Sequence, residues 1–486
     1  MPDNGVTYPG YGIDITPELV EQCCDTATRL LDEVGFEVAH EGFLDAVRGK
    51  PGLRIDGDRV FFDPCLTREY LGQFTAGKLS ERPAGTQPPP TDEWTAQIAG
   101  YSMSVLDVET DEIRSATCQD LRDLIRLANS CGVGGSYPCM PQDIPPLMRA
   151  IACFKICWEE SESIRPYDYQ QPEQTRYIYD MHRAMGYRFD ITLTVPSALS
   201  VDPKDLGVLL DFYPEWKSNR DIDVCILDYG MIGITKPMSA VGCAAMTLTE
   251  TLALHVLLNL FDSDMHVPVV MIAGTPTDLR HACWAFGSPR RHLLRYLDSR
   301  LGPRLCGIDP GDYAASGVLL ETGSAAVDEQ AAMEKMAVGL LGAMQGARTF
   351  GYAGTLCVDD LFSAVQFIID LEMVEYIRET IQAFDPHPDV IDATGLYEEC
   401  REVGLGEDTF ISHPNTIRRL RNVMPSSQRL VREKLSTWLH HCTSLADRAR
   451  AEALERIAAQ EPHHLDDEKQ RALDAIYARA EAEFGA

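Results

Sequence analysis

From Cys131 to Tyr352 short apolar runs alternate with longer amphipathic ones, and this rhythm restricts the fold more than any other feature. Strands are expected at Gly132–Tyr137, Ser163–Tyr167, Ile191–Val195, Val224–Leu227, Val267–Ala273, Leu305–Ile308 and Thr349–Tyr352. Helices are expected between them, at Pro146–Glu159, Gln174–Met185, Lys204–Tyr213, Cys243–Leu260, Arg290–Ser299 and Asp328–Met344. Sustained strand–helix alternation implies a parallel sheet covered by helices. No GxGxxG or P-loop follows any of these strands, which disfavours a nucleotide-binding doubly wound sheet. A (β/α)8 TIM-type barrel is the expected architecture, with an eighth strand that the pattern does not locate.

The flanks extend this core. Residues 1–82 read as an N-terminal helical segment, with Thr16 as an N-cap before Pro17 and a polar hairpin around Asp56-Gly57. Residues 83–130 read as a proline-rich linker, a β-hairpin turning near Thr110-Asp111, and a helix capped by Thr117. The barrel is expected over 131–385 and a C-terminal helical cap over 386–486. The cap could form a contact in a homo-oligomer, while its acidic, alanine-rich tail reads as a solvated amphipathic helix.

Charge narrows the partners. The net charge of −31 leaves no basic face for phosphates, so no nucleic-acid partner is expected. No uninterrupted apolar run reaches the roughly 20 residues that span a bilayer, and the first residues lack a signal-peptide pattern. A cytoplasmic location without membrane attachment is expected. The 15 cysteines are scattered, with no CxxC pairs, so no closed metal site is expected.

In a barrel the loops after the strands build the site. Those loops carry Asp228 and Tyr229, then Asp309 and Tyr313, then Cys357, Asp359 and Asp360. Asp309 precedes Pro310-Gly311 and equally fits a turn. Gln330 and Glu334 stand four apart on one helix face, either exposed or at the mouth of the site, with Met333, Ala337, Leu340, Leu341 and Met344 expected to face the core. Tyr229, Tyr313, Tyr352 and Phe362 lie near strand ends, where aromatic faces could hold a cation or simply plug the core. Asp359 and Asp360 would raise the Cys357 thiol, which argues against a thiolate nucleophile.

The chain resembles the trimethylamine methyltransferase family. The resemblance rests on LLDEVGFEV (Leu30–Val38), DGDRVFFDP (Asp56–Pro64) and VLDVETDEIRSATCQDLRDLIRLA (Val105–Ala128). It continues through FGSPRRHL (Phe286–Leu293), DEQAAMEK (Asp328–Lys335), AGTLCVDDLFS (Ala353–Ser363), IIDLE (Ile368–Glu372) and HPNT (His413–Thr416). It implies a barrel that moves a methyl group from a methylated amine to the cob(I)alamin of a separate corrinoid protein. Trimethylamine enzymes of the family place pyrrolysine where this chain has Cys357, and members without it are associated with quaternary amines such as glycine betaine. The resemblance therefore implies catalytic roles for Glu334, Gln330 and Cys357. Substrate contacts are expected from Tyr352, Tyr313, Asp309, Tyr229 and Phe362, with no metal held by the chain. Two alternatives are a zinc and thiol methyltransferase barrel using Cys306, Cys357 and His292, and a catalytically degenerate barrel that only binds ligand.

Overall fold

The computed structural model describes residues 15–75, 93–166, 171–265, 267, 274–306, 317–382, 388–406, 409–423, 427, 429–459 and 463–485. They form a mixed α/β structure with parallel sheets. One parallel ladder runs in the order Val318–Leu319, Thr349–Ala353, Thr95–Ile98, Gly134–Gly135. A parallel bridge from Gly135 to Ile164 extends it. A second ladder pairs Phe189–Val195 with Ile222–Asp228 in parallel register along all seven residues. A late strand, Thr349–Ala353, thus lies beside an early one, Thr95–Ile98.

Two of these strands were not expected. Thr95–Ile98 and Val318–Leu319 are too short for period-2 alternation to register, and their pairing defines them instead. The hairpin near Thr110-Asp111 is present, as Ser104–Leu106 against Ile113–Ser115. The strand expected at Leu305–Ile308 is corrected over Leu305 and Cys306, which end the helix Pro289–Cys306. That helix continues through Pro303, where a proline would ordinarily stop it. Of Val267–Ala273 only Val267 is described, and it is buried.

Helix ends follow the local chemistry. Thr16 accepts from Leu19 N–H and starts the helix Pro17–Arg29, and Thr117 forms a capping box with Asp120. The helix Ala240–Phe261 is long and apolar enough to cross a membrane, against expectation, but 83% of its apolar window is buried inside the protein. At the C-terminus, Leu445–Ala459 packs on Cys118–Ser130 and Ala364–Gln382, while Asp467–Phe484 packs on Thr175–Met185 and Arg149–Glu160.

The helix Glu329–Met344 settles against the sheet through small residues. Its buried face is Ala331, Lys335, Val338, Gly339, Gly342 and Ala343, not the row containing Met333, which is 67% exposed. A Cβ on Gly339 would meet Ile377 Cδ1 at 2.7 Å, and one on Gly342 would sit 3.1 Å from Val318. Close approach therefore excludes the larger side chains from this face. Lys335 and Asp370 are both solvent-inaccessible and form an ion pair of 2.6 Å. Asp370 also accepts from Gly354 N–H at 2.8 Å and Gln366 Nε2 at 2.7 Å. Burial pushes the lysine down and the carboxyl up, and their mutual attraction opposes both shifts. Asp370→Ala would strand the Lys335 charge and is expected to cost about 3–5 kcal/mol in urea unfolding.

Candidate active site

The segment after Val318–Leu319 and the loop after Thr349–Ala353 meet at the carboxyl ends of the parallel strands. Glu334 joins them. Its Oε2 accepts from Thr322 Oγ1 at 2.6 Å and Gly323 N–H at 2.8 Å, and its Oε1 accepts from Gln330 Nε2 at 3.1 Å. The two residues four apart in sequence thus act as one unit, Gln330 exposed and Glu334 half-buried. Gly287 closes over this carboxylate: a Cβ there would lie 2.2 Å from Glu334 Oε2. The glycine of FGSPRRHL is required because the carboxylate occupies the space of a side chain.

The Cys357 loop is tied to the same segment. Cys357 N–H donates to Ser324 O at 2.6 Å, and Val358 N–H donates to Thr322 O at 2.7 Å. Both residues are left-handed, with φ of 48° and 69°, and so is Tyr352 with φ 59°. A β-branched valine in this region is a strained outlier, costing on the order of 1–3 kcal/mol. The strain aims two successive amides at the Thr322–Ser324 backbone. Burial first, then the charges of Asp360 and Asp359, raise the Cys357 thiol, in the direction read from the sequence. Asp359 is itself raised by burial, against a hydrogen bond from Tyr101.

Around these groups stand further residues, of which sequence reasoning named Trp284 as an aromatic near a strand end and passed over Glu321, Phe286 and Lys236. Glu321 ends the Val318–Leu319 strand, is 1% exposed, and accepts from Arg291 Nε at 3.2 Å. Burial raises its carboxyl, and Arg291 and Arg295 oppose the shift. Trp284 and Phe286 stack with centroids 5.1 Å apart, and Arg291 lies over the Phe286 ring. Phe286 is the first residue of FGSPRRHL, so that motif held the signal. At the end of Ile222–Asp228, the buried Lys236 binds Asp228 at 2.5 Å, Thr247 at 3.0 Å and Glu250. This network fixes the turn that carries Tyr229.

The expected site residues divide accordingly. Glu334, Gln330 and Cys357 come together. Tyr352 lies partly exposed in the strand before them, and Tyr229 is exposed at the end of another parallel strand. Phe362 is fully buried in the strand Leu361–Ser363, its ring beneath Gly354, where a Cβ would lie 2.3 Å from Phe362 Cζ. It supports the Cys357 loop from the core and does not face the mouth. Asp309 and Tyr313 lie outside the described residues, as does the side chain of Cys306. Among the described residues no three His, Cys, Asp or Glu side chains are gathered as metal ligands.

The described residues thus form a mixed α/β protein with carboxylates and aromatics gathered near the carboxyl ends of parallel strands. The chain belongs to the trimethylamine methyltransferase (MTTB) family, whose sequence profile matches residues 13–485. Members of this family are corrinoid-dependent methyltransferases, and the chain is an enzyme of that class. No individual curated protein matches it.

The raised thiol gives a direct check. In peptide-resolved iodoacetamide labelling, Cys357 is expected to react more slowly than a free thiol at pH 8. Its rate should still climb at pH values where an ordinary thiol has levelled off. Fast labelling at neutral pH would contradict the burial argument.

Proposed function

We propose that this protein is a cytoplasmic enzyme that moves a methyl group from a quaternary ammonium compound to a reduced corrinoid carried on a partner protein. The observation that carries this reading is the Glu334 carboxylate, held by three hydrogen bonds in the segment joined to the Cys357 loop. Gly287, which packs on that carboxylate, directly follows Phe286 of the Trp284–Phe286 stack. A fixed negative charge and aromatic faces suit a cation that offers no hydrogen-bond donor. A quaternary nitrogen is already a cationic leaving group, so its methyl can be displaced without a general base or a covalent electrophile. Cys357, with a raised thiol, fits a lining role at the position where pyrrolysine-containing relatives carry their electrophile. Glycine betaine is the simplest substrate of this class.

The reduced corrinoid supplies the nucleophilic metal centre that accepts the methyl group. Toward it the chain offers exposed apolar side chains on the loops after two strands, Ile234, Met238 and Leu279. Met238 and Leu279 both crowd Gly233, where a Cβ would meet them at 2.8 and 3.1 Å. An open apolar rim fits a large cofactor presented from outside. The work of the chain itself is to hold the cation, exclude water and aim one methyl outward.

We also read the parallel ladders as arcs of one (β/α)8 barrel, with residues 386–486 as a helical cap. The pairing of Thr349–Ala353 with Thr95–Ile98 supports closure, since it joins late strand to early strand. It also moves the start of the barrel from residue 131 back to Thr95. The N-terminal helices and hairpin before Thr95 remain an extension.

With free cob(I)alamin and a panel of quaternary amines, the purified protein is expected to produce methylated corrinoid, read from the absorbance change. Glu334→Ala is expected to lower that rate by about 100-fold. The absence of methyl transfer from every onium compound, with free or protein-bound corrinoid, would sink the proposal. In the same assay Cys357→Ala is expected to keep activity within about fivefold of the parent, as suits a lining residue. Complete loss would restore a nucleophilic or ligand role for the thiol.

A further inference from the structure

Beyond Leu319 the chain turns: Leu320 N–H still donates to Gly351 O at 2.8 Å, and Glu321 N–H donates back to Leu319 O at 3.0 Å. Val318 packs against Gly342, and Leu320 against Gly339, both on the helix Glu329–Met344. Side chains alternate along a strand, so Leu319 projects from the face opposite that helix, while Glu321 follows the turn and meets Arg291. Leu319 is 37% exposed on that face. Glu321, one step nearer the mouth, is 1% exposed.

The two oxygens of Glu321 differ. Oε2 is held by Arg291, which also reaches Gly274 O at 3.4 Å and lies over Phe286. Oε1 is buried and, among the described residues, has no hydrogen-bond partner. A buried carboxylate oxygen without a donor is costly, and folded proteins seldom leave one unpaired. Asp359 adds negative charge nearby. Sheet and helix packing need no carboxylate here, since the helix-facing side is filled by Val318 and Leu320. An unpaired acceptor this deeply buried, two residues past a strand whose last side chain is part exposed, calls for a donor group.

We propose that Glu321 Oε1 accepts a hydrogen bond from a hydroxyl group on the methyl donor, so that the substrate class is a hydroxylated quaternary ammonium compound. The inference rests on the reading of the methyl donor as a quaternary amine. A fully alkylated nitrogen carries no N–H, so the donor must be a hydroxyl elsewhere on the molecule. Such a site discriminates strongly, because an analogue lacking the hydroxyl leaves the buried acceptor unpaired. Glu321 is then a specificity residue, while Glu334 and the aromatic pair serve the cationic head common to all candidates.

The test is calorimetric binding to the full-length protein of a matched pair, choline and its deoxy counterpart ethyltrimethylammonium. The parent protein is expected to bind choline at least about tenfold more tightly. Glu321→Ala should bring the two affinities within about threefold of each other, chiefly by weakening choline. Glu321→Gln, which keeps the shape of the side chain, serves the same comparison if the alanine variant does not fold, and should reduce the preference. Equal affinities in the parent protein would overturn the inference, as would binding of neither compound or a preference that survives both substitutions. Methyl transfer from non-hydroxylated onium compounds alone would overturn it while leaving the quaternary-amine reading intact. Failure of every onium compound would remove that reading instead.

Discussion

A lysine and an aspartate without solvent access hold the functional end of this protein together. Lys335 Nζ and Asp370 Oδ2 lie 2.6 Å apart, and the same carboxylate takes the Gly354 amide and the Gln366 side chain. One ion pair thereby joins the helix Glu329–Met344, the helix Ala364–Gln382 and the turn into the Cys357 loop. Its worth is chiefly in what breaking it would cost, because either charge left alone in the interior is strongly unfavourable. The pair therefore specifies how the two helices and the loop sit against each other.

The site inherits this arrangement. Glu334 precedes Lys335 on the same helix, and about 100° of rotation per residue turns it out of the core and onto Thr322 and Gly323. Gly354 leads through Thr355 and Leu356 to Cys357, whose left-handed conformation lets its amide reach Ser324. The strain at Cys357 and Val358 is tolerable because both ends of the loop are fixed. Asp370 holds Gly354 at one end, and the strand Leu361–Ser363 pairs with Ser104–Leu106 at the other. A rigid core pair, a strained loop and a hydrogen-bonded carboxylate form one mechanical chain.

Much of this was legible in the sequence, for identifiable reasons. Long helices announce themselves by period and caps, so Thr16, Thr117 and Asp328 begin helices as read. Gln330 and Glu334 share a face by spacing alone. What spacing could not show was which face was buried. Met333 looked like core because it is apolar, yet Gly339 and Gly342 set the contact, and glycine carries no hydrophobic signal. Leu305 and Cys306 resembled a strand as the start of a short apolar run, yet the helix expected to end at Ser299 continues through Pro303 to Cys306. Phe362 fitted a pocket aromatic, but the missing side chain of Gly354 makes a seat for its ring in the core. Glu321 gave no signal at all: a single carboxylate after an apolar run has no partner at any characteristic spacing, and only the fold brings Arg291 to it.

The distribution of charge at the mouth bears on mechanism. Glu334, Glu321 and Asp359 are acidic, and Arg291 is committed to Glu321 and Gly274. Burial raises the carboxyls of Glu321 and Asp359, against Arg291 and Arg295 beside the one and Tyr101 beside the other. A cation entering this region supplies the missing compensation, and the attraction is larger where water is excluded. Burial first, and then the charges of Asp360 and Asp359, disfavour a thiolate at Cys357. A site with this balance cannot easily use a cysteine nucleophile, and it has no need of one when the methyl donor is already a cation. The acidic surroundings and the raised thiol leave this segment better suited to hold a cation than to supply a nucleophile.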